Sequence, residues 1–190
     1  MNLPNLITFA RICSVPVIVW LIVNNQLLTA FWVTMAAGIS DAVDGIVAKR
    51  FDLVTELGAF LDPIADKALL MCLFIALGHQ GYLEVWLVIL VVFRDLLILG
   101  GALLFHTLTH SLTIQPLKIS KVNTFAQMVL AVGVLGMEGY AIDAGNGVAF
   151  LTVIVAFTTI CSGAGYVYLW AKKAAEFEGD DSRDSQEIDE

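Results

Sequence analysis

Four aspartates, Asp41, Asp44, Asp62 and Asp66, stand in stretches that are otherwise strongly apolar. Asp44 follows Asp41 by three residues and Asp66 follows Asp62 by four, so on helices each pair shares one face. A short turn at residues 50–55 would make the two helices antiparallel neighbours, with both pairs at similar depth. An ionised acid in hydrocarbon costs roughly 3 kcal/mol or more, and four of them also repel one another. Lys49 and Arg50 are too few to balance them. Two divalent cations would do so, and an all-carboxylate oxygen set suits Mg2+ or Mn2+ better than zinc. His79, His106 and His110 lie away from these aspartates and read as interfacial polar residues.

Carboxylate-held ion pairs clamp phosphate oxygens and stabilise both the attacking and the leaving oxygen of a displacement. Such chemistry also needs a hydroxyl nucleophile and a carboxylate to accept its proton. The bland alternative, helix-end carboxylates reaching back to water, accommodates Asp41 alone. It leaves unexplained the second pair and the small residues set among the acids, Gly38, Gly45, Ala48, Gly58, Ala59 and Ala65. Small residues let helices approach and leave room for a ligand. The residues therefore point to a metal-dependent enzyme acting on a phospholipid or nucleotide-lipid at the cytoplasmic face.

The elements that hold these groups follow from composition. Of 190 residues, 58% are hydrophobic and only 15% charged, too few polar groups to clothe a soluble domain. That excludes an ordinary cytosolic enzyme, a disordered chain and a disulfide scaffold. Apolar stretches fall near residues 9–24, 27–49, 56–78, 83–106, 119–137 and 147–171, most of them near the ~20 residues that cross a bilayer as a helix. The expected fold is an all-α integral membrane protein with six transmembrane helices and an N-terminal interfacial segment at residues 1–8. That segment lacks the basic start of a cleaved signal peptide. Lys49/Arg50, Lys118/Lys121 and Lys172/Lys173 occupy alternate breaks, while the breaks at 24–26, 78–84 and 138–146 contain no Lys or Arg. The positive-inside rule then puts both termini in the cytoplasm.

The net charge of −8 is concentrated at the end of the chain: residues 171–190 hold eight acids against three bases. Residues 1–172 are expected to form the membrane domain and 173–190 an acidic, disordered tail. No basic patch offers a surface to nucleic acid. Cys13, Cys72 and Cys161 are far apart in apolar runs and read as buried free thiols.

Asp41-x-x-Asp44-Gly45-x-x-Ala48-Lys49, then Gly58-x-x-x-Asp62-x-x-x-Asp66, closely resembles the signature of the CDP-alcohol phosphatidyltransferase family. The departure is Lys49, where the family carries Arg; it keeps the charge without the bidentate fork. The resemblance implies transfer from CDP-diacylglycerol to an alcohol with release of CMP. It implies that Asp41, Asp44, Asp62 and Asp66 hold the metals and that Asp66 is also the general base. Asp44, Gly45, Ala48, Lys49 and Gly58, with Asn5 and Thr8, would surround the CDP moiety. A homodimer is implied as well. Residence in a bacterial inner membrane is expected on a separate ground, a short chain in which no targeting segment is recognised.

Arg94, Lys118 and Lys121 are candidate ligands for an acceptor phosphate, which favours a glycerol-phosphate type of acceptor over uncharged serine. The opening Asn2-Leu3-Pro4-Asn5, with Thr8 and Arg11, is similar to both the phosphatidylglycerophosphate synthases and the CMP-forming cardiolipin synthases. Arg94-Asp95, Ile119-Ser120-Lys121-Val122-Asn123-Thr124 and Ala156-Phe157-Thr158-Thr159 are more similar to the cardiolipin branch, so phosphatidylglycerol is the expected acceptor and glycerol-3-phosphate the alternative. A cation-coupled transporter is the rival from another class. It would place its acids near the bilayer midplane and usually shows inverted repeats, neither of which is seen.

Overall fold

In this computed structural model the described residues form six helices and no strand: α1 Leu3–Val23, α2 Leu27–Phe51, α3 Glu56–His79, α4 Val85–Thr109, α5 Lys118–Gly139 and α6 Gly147–Ile188. The structure describes the backbone of residues 3–51, 56–109, 118–142 and 145–188, and the side chains of residues 10–40, 65–101, 119–142 and 145–172. Each apolar stretch expected from the sequence coincides with one helix. Two ends differ from expectation. The stretch expected as a separate interfacial segment is continuous with α1 from Leu3 onward, with Pro4 in the first turn, where its missing N–H has no intrahelical partner to lose. At the other end α6 runs on through Ile188, where a disordered tail was expected. Helix formers dominate residues 171–178, and Lys172/Glu176 and Arg183/Glu187 put opposite charges four apart, a spacing that supports a helix. At ~1.5 Å per residue the 42 residues of α6 extend about 63 Å, roughly twice the ~30 Å of a hydrocarbon core.

Among the described residues, Ile119–Gly139 and Gly147–Lys172 are long and apolar enough to cross a membrane, and Ala10–Val23 and Leu27–Ser40 are shorter apolar helical segments. The outward surface fits that reading. Trp32, Phe93, Phe125, Phe150, Phe157 and Tyr168 are all exposed, an apolar exterior that a water-soluble monomer rarely presents. The thiols follow the same logic and correct the sequence expectation. Cys13 is exposed, and Cys72 and Cys161 are only partly covered, because an apolar exterior gives a thiol no reason to retreat into the core.

α3 stands at the centre, packed on α1, α4 and α5; α2 packs on α1 and α5, and α6 on α4 and α5. Phe74, Leu77, Ile22, Leu87, Val91 and Leu130 are fully buried between them. In lipid such contacts gain little from leaving the solvent, so close packing has to supply the attraction.

At the end of the bundle without basic residues, three helices stop in the same way. Gln26 N–H donates to Leu21 O at 2.8 Å, Tyr82 N–H to Leu77 O at 2.9 Å and Ile142 N–H to Met137 O at 2.8 Å. Each bond follows a residue of positive φ: Asn25 at 57°, Gly81 at 82° and Ala141 at 53°. These are Schellman endings, which satisfy carbonyls that a helix terminus otherwise leaves open. Gln80 adds to them by donating from Nε2 to Ile22 O at 3.1 Å and Val23 O at 2.8 Å, tying the start of one loop to the end of α1.

Close approach of backbones fixes the same end. A Cβ on Gly139 would lie 2.8 Å from the Leu28 nitrogen, whereas one on Gly133 would meet nothing within 4 Å. Gly139→Ala is therefore expected to cost about 1–3 kcal/mol by overpacking. Gly133→Ala should be neutral, or stabilising by up to about 1 kcal/mol through helix propensity. Thermal unfolding of the two variants in detergent checks this, and equal shifts would contradict the packing described.

Candidate active site

The opposite end of the bundle gathers the charge. Asp66 lies on α3, and its Oδ1 accepts a hydrogen bond from Arg11 Nη1 on α1 at 2.6 Å. The Arg11 side chain is 3% exposed and that of Asp66 45%, so a buried cation holds a carboxylate that opens onto a cavity. A guanidinium so deep in an apolar bundle is stable only against an anion. The contact thus fixes the α1–α3 register as well as the carboxylate.

The cavity has a volume of about 390 Å³ and lies where α1, α2, α3 and α5 meet. Arg11, Asp66, Ser120, Lys121 and Thr124 form its polar lining. Leu69, Leu70, Phe125 and Met128 form an apolar lining, and Gly38 of α2 leaves space by having no side chain. A molecule with a charged head and an apolar body matches both parts. A second cavity, about 330 Å³, lies between α1 and α2, lined by Ala10, Ser14, Val33, Ala36, Ala37 and Ser40, with Arg11 shared between the two.

Behind the α5 side of the first cavity stands a second charged pair. Arg94 is 3% exposed and so is Asp95, and Arg94 Nη1 donates to Asp95 Oδ1 at 2.6 Å. Arg94 Nη2 donates to Ser120 Oγ on α5 at 2.7 Å and to Ser162 Oγ on α6. One turn further along α5, Asn123 Oδ1 accepts from Thr158 Oγ1 at 2.8 Å and Thr159 Oγ1 at 2.9 Å of α6. The three short blocks singled out in the sequence therefore form one polar seam binding α4, α5 and α6. Removing one member of a buried ion pair typically costs about 3–5 kcal/mol, so Arg94 and Asp95 are parts of the framework.

The sequence-derived candidates divide accordingly. Asp66 and Lys121 line the cavity, while Arg94 is not among its lining residues. Lys118 begins α5; Asp41, Asp44, Gly45, Ala48 and Lys49 lie on α2, Gly58 and Asp62 on α3, and Asn5 and Thr8 on α1. The side chains of these last nine and of Lys118 lie outside the described residues. Among the described residues no group of three or more His, Cys, Asp or Glu side chains is assembled for a metal. Asp66 offers oxygen at a cavity wall, the donor chemistry that Mg2+ or Mn2+ prefers, and His79 is at the far end of α3. Sequence reasoning gave Arg11, Ser120 and Thr124 no role at the site. Arg11 carried a signal nonetheless, as a cation inside the first apolar stretch, which calls for a partner.

A family model described as CDP-alcohol phosphatidyltransferase matches residues 1–162. The chain is 39% identical over 184 residues to a rice chloroplastic CDP-diacylglycerol–glycerol-3-phosphate 3-phosphatidyltransferase, covering 87% of this chain and 56% of that one. It is 36% identical over 181 residues to a fission-yeast fusion of a CMP-forming cardiolipin synthase and a mitochondrial hydrolase, covering 87% of this chain and 30% of that one. To a Rickettsia felis CDP-diacylglycerol–glycerol-3-phosphate 3-phosphatidyltransferase it is 33% identical over 176 residues, covering 87% of this chain and 93% of that one. The chain thus spans about half of the rice protein and under a third of the yeast fusion, but nearly all of the rickettsial one. With the family model extending over most of its length and an aspartate, a lysine and a serine lining one amphipathic cavity, the chain belongs to the CDP-alcohol phosphatidyltransferase family.

Proposed function

We propose that this protein transfers the phosphatidyl group of CDP-diacylglycerol to the hydroxyl of a glycerol-type acceptor and releases CMP. The observation that carries the reading is the Asp66 carboxylate, held by Arg11, on the wall of a cavity with one polar and one apolar lining. Asp66 takes the proton of the acceptor hydroxyl. The acceptor oxygen forms a bond to the phosphatidyl phosphorus as the bond from that phosphorus to the CMP oxygen breaks, and CMP departs with the electron pair. Arg11 orients the base, and Lys121 contributes positive charge to the cavity. Asp41, Asp44, Asp62 and Asp66 would hold two divalent ions, Mg2+ or Mn2+. When bound, such ions supply positive charge to phosphate oxygens in flight and to the leaving oxygen. Asp44, Gly45, Ala48, Lys49, Gly58, Asn5 and Thr8 surround the CDP moiety in this reading.

The proposed setting is a membrane crossed by all six helices, with the basic end, both termini and the site toward the cytoplasm of a bacterium, and with two copies forming a homodimer. The acceptor proposed first is phosphatidylglycerol, because the blocks similar to the cardiolipin branch meet in one seam beside the cavity. Glycerol-3-phosphate is the second reading, favoured by the names that the rice and rickettsial relatives carry.

Two substitutions separate the roles. Asp66→Asn keeps the shape but not the base, and is expected to lower CMP release at least ~100-fold while CDP-diacylglycerol still binds. Near-normal release would remove Asp66 as the base. Asp41→Asn is expected to weaken Mn2+ binding about ten-fold or more, read by a Mn2+ titration followed by electron paramagnetic resonance. An unchanged titration would count against its ligand role.

A further inference from the structure

Arg94 has the charge expected of a phosphate ligand, yet it stands behind the cavity wall and its charge is already matched. Asp95 accepts from Nη1 at 2.6 Å, so the pair presents no net charge to the cavity. Nη2 spends its hydrogen bonds on two hydroxyls, Ser120 Oγ and Ser162 Oγ. Ser162 is fully buried, whereas Ser120 is among the residues that line the cavity. A serine hydroxyl carries one proton to give and two lone pairs to accept with. When its oxygen accepts from a guanidinium, the O–H bond is polarised and its proton is directed away from that cation. Hydrogen bonds in series strengthen one another in this way. Ser120 lines the cavity, where an oxyanion could accept that proton. Lys121, next in sequence, lines the same cavity, supplying a net charge that the neutralised Arg94 does not.

We infer that Ser120 is an oxyanion ligand of the acceptor cavity, donating from Oγ–H to a phosphate oxygen, and that Arg94 is a positioning residue that acts through it. This rests on the proposed phosphatidyl transfer and adds the residue that recognises the acceptor. The ligand chemistry is a phosphate oxygen carrying negative charge, whether the phosphodiester of a lipid headgroup or the phosphate of a small glycerol ester. A buried guanidinium behind a hydroxyl is better suited to this than a guanidinium in the cavity. Ser120 gives direction, and Asp95 removes the cost of an unpaired buried cation.

The test is steady-state CMP release by the full-length protein in detergent, with phosphatidylglycerol and glycerol-3-phosphate as separate acceptor arms. Ser120→Ala, a one-atom deletion at a half-buried site, is expected to raise the acceptor KM about ten-fold or more, the worth of a hydrogen bond to a charged group. The donor KM should stay within about two-fold on the same scale. Ser120→Thr keeps the hydroxyl and should restore the acceptor KM. Arg94→Lys loses the planar fork that holds Asp95 and both hydroxyls in fixed directions and should also raise the acceptor KM. On the Ser120→Ala background it should add little, since both act through one contact. An unchanged acceptor KM in Ser120→Ala, an equal rise in donor KM, or full additivity with Arg94→Lys would each overturn the inference. Thermal stabilisation by glycerol-3-phosphate or phosphatidylglycerol is read in parallel and needs no turnover. It should be present in the wild type and lost in Ser120→Ala. A wild-type protein that gains this stabilisation but releases no CMP would count against the proposed transfer while leaving Ser120 as a phosphate ligand. Stabilisation that survives in Ser120→Ala would count against Ser120 alone.

Discussion

A charge inside an apolar helical bundle must find its opposite, and that requirement organises the functional end of this protein. Arg11 on α1 reaches Asp66 on α3, and Arg94 on α4 is neutralised by Asp95 while reaching α5 and α6 through Ser120 and Ser162. In water either pair would contribute little. In a lipid-facing bundle an unpaired member would be expensive, so Arg11–Asp66 sets the register of α1 on α3, while the Arg94 hydrogen bonds to Ser120 and Ser162 tie α4 to α5 and α6. The same contacts leave one carboxylate half-exposed on a cavity, where a reacting group belongs.

The two ends of the bundle divide the labour. At the end without basic residues, Schellman endings, the Gln80 bonds to the last turn of α1 and the approach of Gly139 to Leu28 close the helices tightly. Farther along, a Cβ on Gly101 would overlap the Trp170 ring at 1.9 Å, so α4 and α6 are also held close. At the other end, charged side chains meet around two cavities that share Arg11. Helices held in register in this way keep the groups around a cavity aligned, which is what a site needs.

Much of this was legible in the residues. Apolar stretches with short polar breaks located the six helices of the described residues, because a long apolar run bounded by polar breaks favours one continuous helix. Residue spacing put Asp62 and Asp66 on one face of α3. What stayed illegible was the direction of side chains inside the bundle. Helices that face lipid are apolar all round, so no amphipathic stripe marks the inner face. The pairing of Arg11 with Asp66, 55 residues apart, and the placement of Arg94 behind the cavity rather than in it depend on helix rotation, which periodicity here does not encode. The exposed Cys13 and the continuation of α6 through Ile188 follow the same pattern. Burial rules drawn from proteins in water mislead for the thiol, and acidity alone does not stop a helix whose residues favour it.

The central claim, phosphatidyl transfer to a glycerol-type acceptor, is tested most directly by following CMP from CDP-diacylglycerol with the purified wild-type protein. The reaction is run with Mg2+ or Mn2+ and with phosphatidylglycerol or glycerol-3-phosphate supplied separately. The account predicts CMP release that requires both a divalent ion and a glycerol acceptor, with phosphatidylglycerol the better of the two. Release with neither acceptor, under conditions where the protein remains folded and CDP-diacylglycerol is bound, would contradict it.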